Sequence, residues 1–390
     1  MKAVSRCRWW VVQLAVLAVI AVGTTFALEI ADPQQSHAQS SVRPPANAVG
    51  SGAPQGGEVP GGSMGNLSDS ETWRAVRKGI QGTVSIPDKQ AGQLVQSEGD
   101  NWRAFKNGPI ATGGVIGLAG MVILLTLFYL ARGRIMVDHG MSGRTITRFR
   151  DIERMGHWLL AVSFIILAVS GLIITYGKYF ILPVLGPAVF AEIARVSKWS
   201  HNYVAFAFMV SLVMIFVLWI KENFPNKYDL QWLARGGGMF VKGSHPPSKK
   251  FNAGQKILFW LVILGGILLS LTGIAMLFPF QTSMFAGAFA ILNAFGLGLP
   301  TDLTPLHEMQ LATAWHTIVA LVLIVVVIAH IYIGSIGMEG AFDAMGTGEV
   351  DENWAKEHHS IWAKEAIQSR GKARGKGRRK GGAKAAAPAE

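Results

Sequence analysis

Residues 311–333 read LATAWHTIVALVLIVVVIAHIYI, without an Asp, Glu, Lys or Arg. At 1.5 Å per residue this stretch is long enough to cross a hydrocarbon layer of about 30 Å. Two histidines, His316 and His330, interrupt it. Their spacing corresponds to about 21 Å of rise and a net rotation of about 40°, so both lie on one side of a helix, one towards each membrane surface. Four more apolar runs precede it: Ile110–Ala131, His157–Tyr176, Tyr203–Ile220 and Ile257–Phe278. A sixth, Met284–Leu299, is broken by Gly287, Asn293, Gly296 and Gly298 and reads as a re-entrant or interfacial helix. The pattern predicts an all-α integral membrane protein: a four-helix transmembrane bundle plus one extra N-terminal transmembrane helix.

Composition agrees. The 390 residues are 50% hydrophobic and 15% charged, against about 25% charged in soluble domains. A single cysteine, Cys7, excludes iron–sulfur clusters, Cys-type zinc sites and a disulfide scaffold on this chain. The net charge of +12 follows the loops. Segments 132–154, 221–256 and 335–390 hold six, seven and ten Lys/Arg, whereas 177–200 holds three and 279–309 none. By the positive-inside rule the first three are cytoplasmic. The basic tail, with Arg378-Arg379-Lys380, then reads as a solvated face or a contact to anionic lipid rather than a nucleic-acid site.

The remaining sequence sets the domain boundaries. Residues 1–38, with Lys2, Arg6 and Arg8 ahead of an apolar run, read as a signal peptide or an uncleaved anchor. Residues 39–108 form a periplasmic linker and small module, and 109–145 the extra span with its loop. Residues 146–340 are the four-helix core, and 341–390 a basic cytoplasmic tail.

Four of ten histidines sit in or at the ends of spans: His157, His201, His316 and His330. Ionisable groups in a membrane are costly and mark functional sites. Topology puts His157 and His330 at the cytoplasmic level and His201 and His316 at the outer level. Facing imidazoles suit haem iron, one Nε2 to each axial position. Structural or proton-carrying imidazoles and another metal are the competing readings. Gly171, Gly265, Gly266 and Gly273 offer close approach for a macrocycle. His139, His245, His358 and His359 are expected to be solvated, and His307-Glu308 to be an interfacial pair.

At these residues the sequence resembles the gamma, cytochrome b, subunit of membrane-bound formate dehydrogenases. The likeness rests on Arg148-Phe149, Glu153-Arg154-Met155-Gly156-His157-Trp158 and Ser170-Gly171. It continues through Lys250-Phe251-Asn252-Ala253-Gly254-Gln255-Lys256, Trp315-His316, Ala329-His330-Ile331-Tyr332 and Asn353-Trp354-Ala355-Lys356-Glu357-His358-His359. It covers about residues 146–365. The resemblance implies two haem b groups in a di-haem bundle, His157 with His330 near the cytoplasm and His201 with His316 near the outside. It implies quinone binding at Asn252, Gly254, Gln255 and Lys256, with an N-cap role for Asn252 and snorkelling for Lys256 as competing readings. Arg150 and Arg154 are candidate partners of haem propionates, or surface anchors.

The implied protein is a bacterial inner-membrane, quinone-reducing subunit without a formate-oxidising centre. Its implied partners are a periplasmic iron–sulfur subunit, a catalytic formate-oxidising subunit and membrane lipids. A cytochrome b of a hydrogenase or thiosulfate-type reductase, and a haem-free membrane anchor, are the rival readings.

Overall fold

A computed structural model describes residues 81–83, 93–95 and 99–370. The signal or anchor segment, the linker to residue 80 and the tail beyond 370 lie outside the described residues. Two compact units divide the chain. The first contains an antiparallel pair, β1 (Gln81–Thr83) with β2 (Gln93–Val95), the short helix α1 (Gly99–Phe105), and Pro305–His307.

The second unit carries the long helices. They are α2 (Ala111–Arg132), α3 (Asp151–Phe180), α4 (Leu182–Trp219), α6 (Ala253–Leu277) and, from Glu308 onward, α8 (Pro305–Tyr332). Short helices α5 (Lys227–Ala234) and α7 (Met284–Asn293) lie between them. Among the described residues, five helices are long and apolar enough to cross a membrane. At 10 residues α7 is too short to do so, which keeps the span number expected from sequence. Its first N–H groups, at Phe285 and Ala286, donate to the Glu308 carboxylate at 2.8 and 2.7 Å. Glu308 is therefore a buried cap for α7.

Two stretches differ from expectation. Residues 177–200 read as a loop, yet helix runs through most of them. A turn at Ile181 separates α3 from α4, and inside α4 the break is confined to Gly186, at φ 76°, a conformation that favours glycine, followed by Pro187, whose ring suits a first helical turn. The tail also folds onto the bundle. Strand β3 (Thr145–Thr147) pairs antiparallel with β4 (Glu349–Asp351), and α9 (Asp343–Gly346) and α10 (Glu352–His358) flank β4. Residues 360–370 are helical. Val350, Trp354, Ala355 and Ala363 join the same core as Phe208, Leu212 and Ile263. Gly348 makes the crossing possible: at φ 87° a Cβ there would meet the Phe149 carbonyl oxygen.

Close packing holds the helices. A Cβ on Gly265 would strike Leu323, and one on Gly266 would strike Leu212. These two glycines serve helix–helix contact. The extra helix α2 docks through Tyr176, whose hydroxyl donates to the Ala111 carbonyl at 2.9 Å. At its other end Arg132 Nε donates to Met239 O at 3.0 Å, and Phe128 meets Phe240 edge-on at 5.8 Å. Glu153, 3% exposed, binds three elements together. It accepts from the Arg150 N–H at 2.9 Å, Trp219 Nε1 at 3.1 Å and Lys250 Nζ at 2.8 Å.

The docked tail depends on charge state. Burial holds the His358 imidazole down to about 4 and His359 well below its ordinary range. Burial opposes ionisation of Asp351 and Glu357, but N–H and hydroxyl donors outweigh it and keep both carboxyls below their usual range. The docked histidines stay neutral where released ones protonate, so docking weakens as pH falls below about 6.5. It weakens further once pH falls below about 4, where released carboxylates take up protons more readily than docked ones. Hydrogen exchange across residues 348–359 should therefore accelerate between pH 7 and pH 5; exchange independent of pH after correction for intrinsic rates would contradict this.

Candidate redox site

The structure brings the four span histidines into two pairs. His157 on α3 and His330 on α8 have ring centres 6.2 Å apart at 70°. His201 on α4 and His316 on α8 have ring centres 6.1 Å apart at 63°. The pairs sit at opposite ends of the long apolar segment of α8.

Each imidazole of the second pair is oriented by a hydroxyl that sequence reasoning does not single out. The Ser170 hydroxyl donates to Ile166 O at 2.7 Å, so its oxygen accepts from His201 Nδ1–H at 2.9 Å. The Thr272 hydroxyl donates to Leu268 O at 2.7 Å and likewise accepts from His316 Nδ1–H at 2.9 Å. With the proton fixed on Nδ1, the Nε2 lone pair of both rings is left for a metal. A glycine follows each hydroxyl residue. A Cβ on Gly171 would lie 3.3 Å from His201 Cε1, and one on Gly273 would lie 3.6 Å from His316 Cε1. The repeated hydroxyl–glycine dipeptide in two spans is the signal in the sequence that marks these partners.

The pairs fit metal-centred groups. Two metal–imidazole bonds of about 2 Å each, extended to the ring centres, span about 6 Å, which matches both separations. His157 Nδ1 is buried and has no hydrogen-bond partner among the described residues.

Around the first pair lies a cavity of about 630 Å³, lined by His157, His330, Asn252, Gly254 and Gln255 among others. Asn252 caps α6: its Oδ1 accepts from the Gln255 N–H at 2.9 Å, and Gln255 Oε1 accepts from the Asn252 N–H at 3.1 Å. The cap leaves the NH2 groups of both side chains as donors at the cavity. Lys256 does not line it. One helical step of about 100° turns its side chain away. There Nζ, in a residue 5% exposed, binds Asp229 Oδ2 and Phe224 O, both at 2.9 Å. Removing one partner of such a buried pair costs about 3–5 kcal/mol, so Lys256 joins α5 to α6.

Arg150 and Arg154 also lie outside the lining. Arg150 is 73% exposed beside Glu153. Arg154 donates to the carbonyls of Met345 and Gly346 and pairs with Asp151. Arg148 lines the cavity instead. It is 5% exposed, its guanidinium is 5.1 Å from the Trp354 ring centre and 5.2 Å from that of Phe149, and Nη2 donates to Lys250 O at 2.8 Å. Burial draws its pKa down to about 9, still cationic at neutral pH. His245, His358 and His359 line the same cavity rather than standing in solvent, and His359 is 1% exposed.

A multi-span helical bundle with imidazole pairs facing one another across its helices defines a membrane cytochrome. The chain belongs to the prokaryotic cytochrome b561 family, whose model matches residues 148–348, and membership in this cytochrome b family implies haem b. It is similar to the formate dehydrogenase cytochrome b556(fdo) subunit of Escherichia coli K12, 29% identical over 229 residues, 58% of this chain and 96% of that one. The nitrate-inducible formate dehydrogenase cytochrome b556(Fdn) subunit of the same organism is 25% identical over 235 residues, covering 59% and 96%. The formate dehydrogenase cytochrome b556 subunit of Haemophilus influenzae is 26% identical over 229 residues, covering 58% and 85%.

Losing an orienting partner of a metal-bound histidine typically weakens binding roughly 10–100-fold. Thr272→Ala should therefore loosen haem at the His316 pair, lowering the haem-to-protein ratio after detergent washing while the His157 pair retains its share. An unchanged ratio, with unchanged haem potentials, would show that the hydroxyl does not orient the ligand.

Proposed function

We propose that this chain is the cytochrome b subunit of a membrane-bound formate dehydrogenase, carrying electrons to quinone. The observation that supports it most is the pair of imidazole couples at the two ends of α8. His157 with His330, and His201 with His316, would each hold one haem b; the haems, when bound, supply the reversible one-electron chemistry that imidazole and backbone cannot.

The protein's contribution is ligation, placement and exclusion of water. Ser170 and Thr272 fix the ligand tautomer on one side of the bundle. The cavity beside His157 and His330 would receive the quinone head, with the NH2 groups of Asn252 and Gln255 donating to its oxygens. Arg148 would add a fixed positive field against charge developing there. Lys256 is left out of this site, and Arg150 and Arg154 are left out as propionate partners, because each has other partners or lies exposed.

The distribution of Lys and Arg supports a reading with the His157 end at the cytoplasm of a bacterial inner membrane and the His201 end at the periplasm. A periplasmic iron–sulfur subunit would deliver electrons there from a separate formate-oxidising subunit. With Cys7 as its single cysteine, the chain has too few thiolates to hold the iron–sulfur clusters of that route itself. Electrons moving inward, with protons taken up at the cytoplasmic side, would build a membrane potential.

Purified complex should show two reducible low-spin b haems and a co-purifying formate-oxidising subunit. His316→Ala should remove one haem and leave the other; loss of neither would overturn the assignment, and a co-purifying hydrogenase would reassign the partner. Asn252→Asp keeps an acceptor for the α6 cap but removes the NH2 donor. It should slow quinone reduction with haem content intact, and unaltered quinone kinetics would remove Asn252 from the site.

A further inference from the structure

Five titratable side chains away from the paired histidines form a series beside the cavity. His139, whose side chain is 75% exposed, places Nδ1 2.7 Å from Oε1 of Glu357, whose side chain is 5% exposed. Glu357 Oε2 accepts from the Asp138 N–H at 2.9 Å. Asp138 Oδ2 lies 3.0 Å from His245 Nε2. One ligand-type atom each from Asp138, His245 and Glu357 lie within 4.8 Å of one another. The His245 and His358 ring centres are 6.4 Å apart, and His358 Nε2 is buried with no hydrogen-bond partner among the described residues. Asp138, His245, Glu357 and His358 line the cavity that also contains His330, Asn252 and Gln255. Among the described residues, Arg148 and His359 also face the series, Arg132 lines the same cavity, and Glu339 accepts from the Val137 N–H beside Asp138.

The series runs from an exposed imidazole to a buried one through a carboxylate and a carboxylate–imidazole pair. A divalent cation is a poorer occupant, because Glu357 is already engaged by the N–H groups of Asp138 and His139 and by the His139 ring. Neutral imidazole moves protons well: it takes one at one nitrogen and releases one from the other.

We propose that His139, Glu357, the Asp138–His245 pair and His358 form a proton relay from external water to the quinone in this cavity. The proposal rests on the quinone-reducing function proposed above. Reducing one quinone consumes two electrons and two protons: two C=O bonds become C–O single bonds and two O–H bonds form. The electrons come from reduced haem b and the protons from water through the relay, which returns to its starting state after each transfer.

The test uses the purified holo-complex in stopped flow, following haem reduction by the donor and then reoxidation by added quinone. In Glu357→Gln and His245→Ala, haem spectra and the reduction phase should match the unaltered protein. Reoxidation at pH 8 should slow roughly tenfold or more, with an enlarged solvent deuterium effect, and added imidazole should restore His245→Ala. The His245 ring pairs with the Asp138 side chain, so this variant decides the matter if Glu357→Gln disturbs the tail. Unaltered protein that quinone reoxidises, with both variants equally fast, would overturn the relay and leave the quinone site standing. Unaltered protein that quinone does not reoxidise would overturn the quinone site and the relay with it.

Discussion

Placing neutral imidazoles inside an apolar bundle is costly unless both ring nitrogens find partners. The structure satisfies one nitrogen of His201 and of His316 with the hydroxyls of Ser170 and Thr272 and offers the other towards the opposing ring. Much of the surrounding architecture follows from that requirement. Glycines beside both hydroxyls leave room for the rings, and Gly265 and Gly266 bring α6 close enough to α8 and α4 to hold Thr272 in place.

The opposite end of the bundle is built differently. There the cavity wall combines helix ends, the 237–246 loop and the docked tail, and it gathers charge: Arg148 among aromatic rings and Glu357 with its N–H donors. One end thus presents hydrogen-bonded imidazoles on long helices. The other presents a largely apolar chamber with a few polar and ionisable groups in its wall, the usual make-up of a site for a small organic molecule.

The spans and the four histidines are legible in the sequence because charge-free runs and intramembrane imidazoles have few physical explanations. Ser170 and Thr272 are not, since a hydroxyl in a membrane helix commonly bonds its own backbone, and these two do so while also orienting a histidine. Lys256 reads with its sequence neighbours, but a single helical step carries it to Asp229. The tail's many cations suggest a solvated segment, although the part that packs is carried by Val350, Trp354 and His359. Sequence distance also hides Arg148 from Trp354, which a chain reversal of 204 residues between Thr145 and Glu349 brings together.

That reversal has a consequence for biogenesis. The strand that opens the core is translated long before the strand that pairs with it, and the intervening helices enter the bilayer first. During synthesis the chamber next to His157 lacks its C-terminal wall. The pairing of β3 with β4 completes that wall only once the last segment has emerged.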